Sequence, residues 1–264
     1  VVIHEWMHSW YQMMMGTNES LYAWMDEGFT SWGESRVNWW LDGMKDQFPH
    51  EGSYGAYFFL VKSQFNEPLT THSDQYATNT AYSINAYSKG EVFLEQLGYI
   101  IGAEARDKTL LEYYRRWRFR HPNPTDFIRV AEDVSGLQLD WYRTFFVNTD
   151  KTIDYRIDSL WEENGKLKVR VKNKGEMPMP LDIELQYRDG SREIAYIPQY
   201  LMFGEKRAED ASVKRTVFEP WKWTHREYVF EVNHRLTDIK SVEIDPSRRM
   251  ADLERKDNKL ELKW

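Results

Sequence analysis

The chain has no cysteine among its 264 residues. That excludes disulfides, thiolate zinc sites and a cysteine nucleophile. Compartment stays open, since a cysteine-free chain folds equally well in reducing or oxidising surroundings. No apolar run approaches the roughly 18–20 residues that a membrane-spanning helix needs. Basic residues are in the minority: 35 Lys and Arg stand against 42 Asp and Glu, for a formal charge of −7. The signs are interspersed as on ordinary solvated surface. A nucleic-acid partner would require a basic face, so none is expected.

What is abundant is aromatic side chain and helical periodicity. In residues 1–15, Ile3, Met7, Tyr11 and Met14 recur at helical spacing until Gly16-Thr17-Asn18 breaks the pattern. Residues 21–41 read as a second, Trp-rich helix. A loop is expected over 43–54, followed by a short apolar stretch from Ala56 to Val61 and a long polar loop over 66–81. Helices are predicted from Ser88 to Ile101, stopped by Gly102, from Leu110 to Arg118, over 125–135 after the start signal Asn123-Pro124-Thr125-Asp126, and from Leu137 to Phe146.

Beyond Asn148 the period changes from helical to alternating. Tyr155–Leu160, Leu167–Val171, Leu181–Tyr187, Glu193–Ile197, Tyr228–Val232 and Ser241–Ile244 read as strands, with Asn164-Gly165 and Asp189-Gly190 as turns between them. The expectation is an α+β multidomain chain: a helical part over 1–150, and a β-sandwich of immunoglobulin-like size over 151–264.

The chemistry is concentrated at the start. His4-Glu5-Trp6-Met7-His8 is His-Glu-x-x-His on a helical segment, and residues at i and i+4 share a face, so both imidazoles can reach one ion. Glu27 follows His8 after an 18-residue spacer, inside Trp24-Met25-Asp26-Glu27-Gly28-Phe29-Thr30. A helix, a break at Gly16 and a returning antiparallel helix would bring Glu27 level with the histidines. Two neutral nitrogens and a carboxylate with one position open to water is a catalytic zinc arrangement. Glu5, beside the first ligand, is the candidate to take a proton from the attacking water and pass it to the leaving amine.

These residues resemble the aminopeptidase N-type gluzincins, which pair His-Glu-x-x-His-x18-Glu with an Asn-Glu-Gly-Phe segment. His4-Glu5-Trp6-Met7-His8-Ser9-Trp10-Tyr11 is similar to the family's His-Glu-Leu-x-His-Gln-Trp-Phe, and Tyr87-Ser88-Lys89-Gly90 to its Tyr-x-Lys-Gly. The resemblance covers about residues 1–148 and implies the helical half of a thermolysin-like catalytic domain. It implies zinc as cofactor, a peptide as substrate, and Tyr87 as the phenol that hydrogen-bonds the oxyanion. By the same likeness Tyr82 lines the site. Asp26 stands where the family usually has Asn.

Glu34 lies seven residues after Glu27, on nearly the same helical face. It reads either as the hydrogen-bond partner of a ligand imidazole or as a solvated surface residue. The histidines at 50, 72, 121, 225 and 234 fall in no ligand spacing. Trp6, Trp10, Trp24, Trp32, Trp39 and Trp40 are expected to pack the helices or a surface covered by further chain.

The opening Val1-Val2-Ile3 enters the motif with no helix cap before it, which reads as a fragment of a longer protein. The resemblance places the residues that grip a substrate's α-amine upstream of the metal motif, so the fragment alone is expected to have little activity. An endopeptidase, an epoxide-hydrolase-like relative and a non-catalytic scaffold are the competing readings.

Overall fold

The computed structural model describes residues 1–44, 47–63 and 65–263. The chain forms two compact units, Val1–Asp150 and Lys151–Trp264.

In the first unit, α1 (Val2–Met7) runs through a π-helical turn (His8–Gln12) into α2 (Met13–Met15). Gly16 ends the run in the left-handed region at φ 62°, a conformation that suits a residue without a β-carbon. The chain then returns as α3 (Ala23–Leu41), whose buried positions include Trp24, Met25 and Phe29.

The loop expected over 43–54 is shorter than the sequence suggested. α4 (Glu51–Lys62) begins inside it, and the apolar stretch is the second half of that helix. Gly52 and Gly55 read as breakers, but Tyr54, Tyr57 and Leu60 are buried at a spacing of three and hold the helix by packing. Residues 45 and 46 of the expected loop lie outside the described residues.

The helix expected from Ser88 starts nine residues earlier, as α5 (Asn79–Ser83), where the Thr78 hydroxyl accepts the Ala81 N–H at 3.0 Å. It continues through a second π-helical turn (Ile84–Lys89) into α6 (Gly90–Ile101). α7 (Ala103–Trp117) also starts earlier than its apolar pattern indicates. α8 (Pro124–Ser135) carries the expected cap: Asn123 accepts the Asp126 N–H, and Asp126 accepts the Asn123 N–H. The last helical segment is α9 (Asp140–Tyr142) with a further π turn (Arg143–Val147).

The core of this unit is aromatic. Phe93 of α6 meets Trp24 with ring centroids 4.8 Å apart and Tyr142 at 5.0 Å, and Phe29 meets Phe127 at 4.9 Å. A polar junction accompanies it. His50 is buried between two glutamates of α6: Nδ1 lies 2.6 Å from Glu91 Oε1, and Nε2 lies 3.2 Å from Glu95 Oε1. Glu95 also accepts the Trp32 indole N–H at 2.7 Å and a hydrogen bond from Arg106. One ionic cluster thus ties α3, α6 and α7 together with the residue that opens α4. Trp24 and Trp32 pack inward, whereas Trp6, Trp10 and Trp40 are each more than 70% exposed.

The second unit holds two sheets. One has the order β1 (Tyr155–Glu163), β2 (Lys166–Asn173), β6 (Glu227–Val232) and is antiparallel throughout. The other has the order β5 (Lys214–Val217), β4 (Arg192–Ile197), β3 (Leu181–Tyr187), β7 (Ile239–Ile244), β8 (Lys259–Glu261). Alternate residues such as Val169 and Ile183 are fully buried, and β1 meets β7 and β8, so the apolar faces of the two sheets are turned to each other.

Two strands were not expected. β5 pairs in parallel with β4, and β8 is three residues long. Both are short edge strands of mostly polar residues, three or four long, too short to show the alternation that marks a half-buried strand.

Candidate metal centre

α1 and α3 lie against one another, closely enough that a β-carbon at Gly33 would stand 2.5 Å from Met7 Cε. This approach sets the first two candidate ligands over the third. Glu27 Oε2 lies 3.0 Å from His4 Nε2 and 3.0 Å from His8 Nε2, and the two Nε2 atoms are 3.1 Å apart. Among the described residues these three form the one group of His, Asp and Glu whose donor atoms gather as metal ligands do. The triangle they make is close to the edge of ~3.3 Å expected between donors held ~2.0–2.1 Å from a tetrahedral zinc.

Both ring nitrogens of each histidine face a carboxylate. His4 Nδ1 lies 3.0 Å from Glu34 Oε2, and His8 Nδ1 lies 3.1 Å from Asp26 Oδ1. A proton on each Nδ1, donated to its outer carboxylate, would leave the two Nε2 lone pairs facing Glu27 Oε2, three acceptors around one point. A divalent cation there would satisfy all three, and the donor set fits zinc.

Of the two readings of Glu34, the geometry is that of the imidazole partner. Asp26 makes the equivalent contact to His8, which the sequence reading did not find: an acidic residue in the first turn of a helix is what the helix dipole favours anyway. Burial pushes the Asp26 carboxyl up to about 6 and the neighbouring charge of Glu27 adds to this, while His8 opposes it.

Glu5 lies one residue after His4 and is exposed. Tyr87 sits in the second π turn, its ring stacked on His4 with centroids 5.6 Å apart. Burial raises its hydroxyl above the ordinary tyrosine value, followed by its hydrogen bond to Glu27 and that residue's charge. Tyr82 is raised as well, by burial first and then by the charge of Glu27, and its ring meets Tyr76 at 5.7 Å. His4, His8, Glu27, Glu34, Tyr87 and Tyr82 are therefore gathered in one place. Two of them, His8 and Tyr87, lie on π-helical turns, a distortion often found at functional sites.

The family model for the Peptidase family M1 domain matches residues 1–146, more than half of the chain. The chain belongs to peptidase family M1. Curated relatives of this M1 chain include aminopeptidase M1-A of Oryza sativa subsp. japonica, 23% identical over 175 residues, which cover 64% of this chain and 19% of the relative. Aminopeptidase 2 of Candida albicans is 22% identical over 252 residues, covering 85% and 26%. The M1 chain thus spans about a quarter or less of the length of these relatives.

A solved structure of Legionella pneumophila aminopeptidase A in complex with aspartic acid shares the fold, with a TM-score of 0.55 and 12% identity. The likeness covers 94% of this chain and 26% of that one. No helix among the described residues is long and apolar enough to cross a membrane.

Proposed function

We propose that the chain carries the metal-binding, helical part of a zinc aminopeptidase's catalytic domain over residues 1–150, followed by a β-sandwich domain over 151–264. The observation that supports this best is the convergence of His4 Nε2, His8 Nε2 and Glu27 Oε2, with both outer ring nitrogens held by carboxylates.

His4, His8 and Glu27 would hold the ion. Zinc, when bound, supplies a Lewis acid that polarises the scissile carbonyl and makes water more acidic. Glu5 takes a proton from the attacking water and delivers it to the departing amine. Its exposure leaves it open to solvent and substrate alike. The Tyr87 hydroxyl, held protonated by its surroundings, donates to the carbonyl oxygen as negative charge collects there. Glu34 fixes the ring plane and tautomer of His4, and Tyr82 lines the approach.

The substrate is a peptide with a free amino terminus, as the names of the matched relatives suggest. Metal analysis of the chain should find one zinc per molecule, lost in Glu27→Ala. The full-length protein should hydrolyse aminoacyl p-nitroanilides and leave their N-acetylated counterparts untouched. Absence of zinc from the wild-type chain would refute the metal assignment. Cleavage of blocked and free substrates at equal rates would replace the exopeptidase with an endopeptidase.

A further inference from the structure

Lys89 is a buried lysine whose hydrogen-bond partners are not carboxylates. It is 3% exposed, and its Nζ donates to the main-chain carbonyl oxygen of Glu67 at 2.7 Å and to Asn66 Oδ1 at 3.3 Å. Burial pushes the amine down to about 7, against the pull of the Asp150 and Glu67 charges. Charged or neutral, the amine has N–H groups enough for both acceptors. An apolar side chain would fill such a position at a much smaller desolvation cost. What the lysine adds is reach, carrying a donor into the loop that follows α4.

That loop is itself fixed. Asn66 Nδ2 donates to the Asp150 carbonyl oxygen at 2.8 Å, the Thr70 N–H donates to that of Val147 at 3.2 Å, and Leu69 is buried. Lys89 therefore ties the π turn over Ile84–Lys89 to a segment held against the last residues of the helical unit.

The same turn carries Tyr87. Two residues apart on a helical backbone, positions 87 and 89 point to nearly opposite sides. Tyr87 stacks on His4 at the front of the turn, and Lys89 anchors the back. Gly90 packs its main chain against Trp24 and Gly28. That contact sets the distance of the turn from α3, but a residue without a side chain gives no lever against rotation of the turn. A long side chain held on the far side does.

We infer that Lys89 is the positioning residue for the Tyr87 hydroxyl. By anchoring the back of the turn on Glu67 and Asn66, it sets the direction in which the phenol points. The inference rests on the reading of Tyr87 as the oxyanion donor. Such a donor works only when held within about 0.5 Å of its productive place, so a small rotation of the turn is enough to disable it.

The test is a double-mutant cycle in the full-length protein, read by kcat, KM and zinc content with aminoacyl p-nitroanilides. Lys89→Met keeps a long side chain and removes the donors. It should lower kcat about 10–100-fold, with KM nearly unchanged and zinc at the wild-type value. In a Tyr87→Phe background the same substitution should change kcat by no more than about twofold, because the hydroxyl it positions is gone. A merely structural role for Lys89 would lower activity by the same factor in both backgrounds.

Tyr87→Phe with wild-type kcat would refute the reading of Tyr87 and this inference with it. If Tyr87→Phe does lose activity, a Lys89→Met variant with wild-type kcat, or with an equal loss in both backgrounds, would overturn the inference alone. If circular dichroism shows Lys89→Met unfolded, Asn66→Ala takes its place in the cycle, since it removes one of the two acceptors. Its loss of kcat should vanish in the Tyr87→Phe background; wild-type kcat, or an equal loss in both, would refute the role of Lys89.

Discussion

A β-carbon on Gly28 would stand 2.5 Å from the Cα of Gly90, and one on Gly90 would stand 2.7 Å from the carbonyl oxygen of Trp24. The two glycines let α3 and the start of α6 meet backbone to backbone. Gly28 follows Glu27 directly, and Gly90 lies three residues after Tyr87, so this contact sets how far the candidate oxyanion donor stands from the candidate metal ligand. The obstacle at position 28 is main chain, which cannot rotate aside. Gly28→Ala should therefore force the helices apart and destabilise the chain by about 1–3 kcal/mol. Thermal unfolding would read the loss, and zinc titration should show weakened binding in the same variant. An unchanged melting temperature would mean that the helices separate freely.

Gly55 is the contrasting case. It lies on the exposed side of α4, and a β-carbon there would meet nothing within 4 Å. Glycine inside a helix adds freedom to the unfolded chain without any contact in return. Gly55→Ala should stabilise the protein by about 0.4–1 kcal/mol. The same thermal assay checks it, and the opposite sign to Gly28→Ala is the informative result.

The His50 junction predicts a pH dependence. Desolvation, the largest single effect, pushes the imidazole down, but hydrogen bonds to Glu91 and Glu95 and their charges outweigh it, and the net direction is upward. Burial likewise raises Glu95, yet His50, Arg106 and Trp32 together bring it down to about 2.

A histidine whose folded value is raised contributes fully below its ordinary value of about 6.5, and loses that contribution as pH rises through the raised value. A carboxylate brought down contributes above its ordinary value of about 4.3, and loses that as pH falls toward 2. The cluster should thus be most stabilising between about pH 4.5 and 6.5. His50→Leu leaves Glu91 and Glu95 without the imidazolium. It should destabilise the helical unit by about 3–5 kcal/mol in that window, as removal of one partner from a buried pair does. The difference in melting temperature between wild type and variant should shrink at alkaline pH. A difference that stays constant from pH 5 to 9 would rule out a charged His50.

How much of this was legible beforehand follows from the distance over which each signal acts. The candidate triad was readable because His4 and His8 are one helical turn apart and Glu27 lies across a single break, so local geometry brings them together. Glu34 was readable as a face neighbour of Glu27. Asp26 carried no such mark, since its role exists only through the approach of α1 to α3. His50 was passed over because its partners lie 41 and 45 positions away and no short spacing links them. The start of α4 was hidden by two glycines that packing overrides, and β5 and β8 by polar side chains that suit an edge. The matching of residues 1–146 to the M1 family agrees with the stretch in which motifs were recognised; beyond it only the alternation of strands could be read.

Tyr87 offers the sharpest separation of chemistry from structure. Its hydroxyl is raised above the ordinary tyrosine range, by burial and then by Glu27, so at neutral pH it keeps its proton and can donate it in a hydrogen bond. A donor aimed at developing charge strengthens in the transition state and contributes little to ground-state binding. Tyr87→Phe keeps the ring that stacks on His4 and removes only the oxygen. In the full-length protein it should lower kcat by about 10²–10³-fold with KM nearly unchanged, while the zinc content stays at the wild-type value. Glu5→Gln should also retain zinc, but its loss, about 10²–10⁴-fold, should come with a change in the acid limb of the pH profile, because it removes a group that gains and loses a proton. Tyr87→Phe should leave that limb where it was. If instead Tyr87→Phe raised KM and spared kcat, the phenol would be a substrate-binding group, and the oxyanion would have to be stabilised elsewhere.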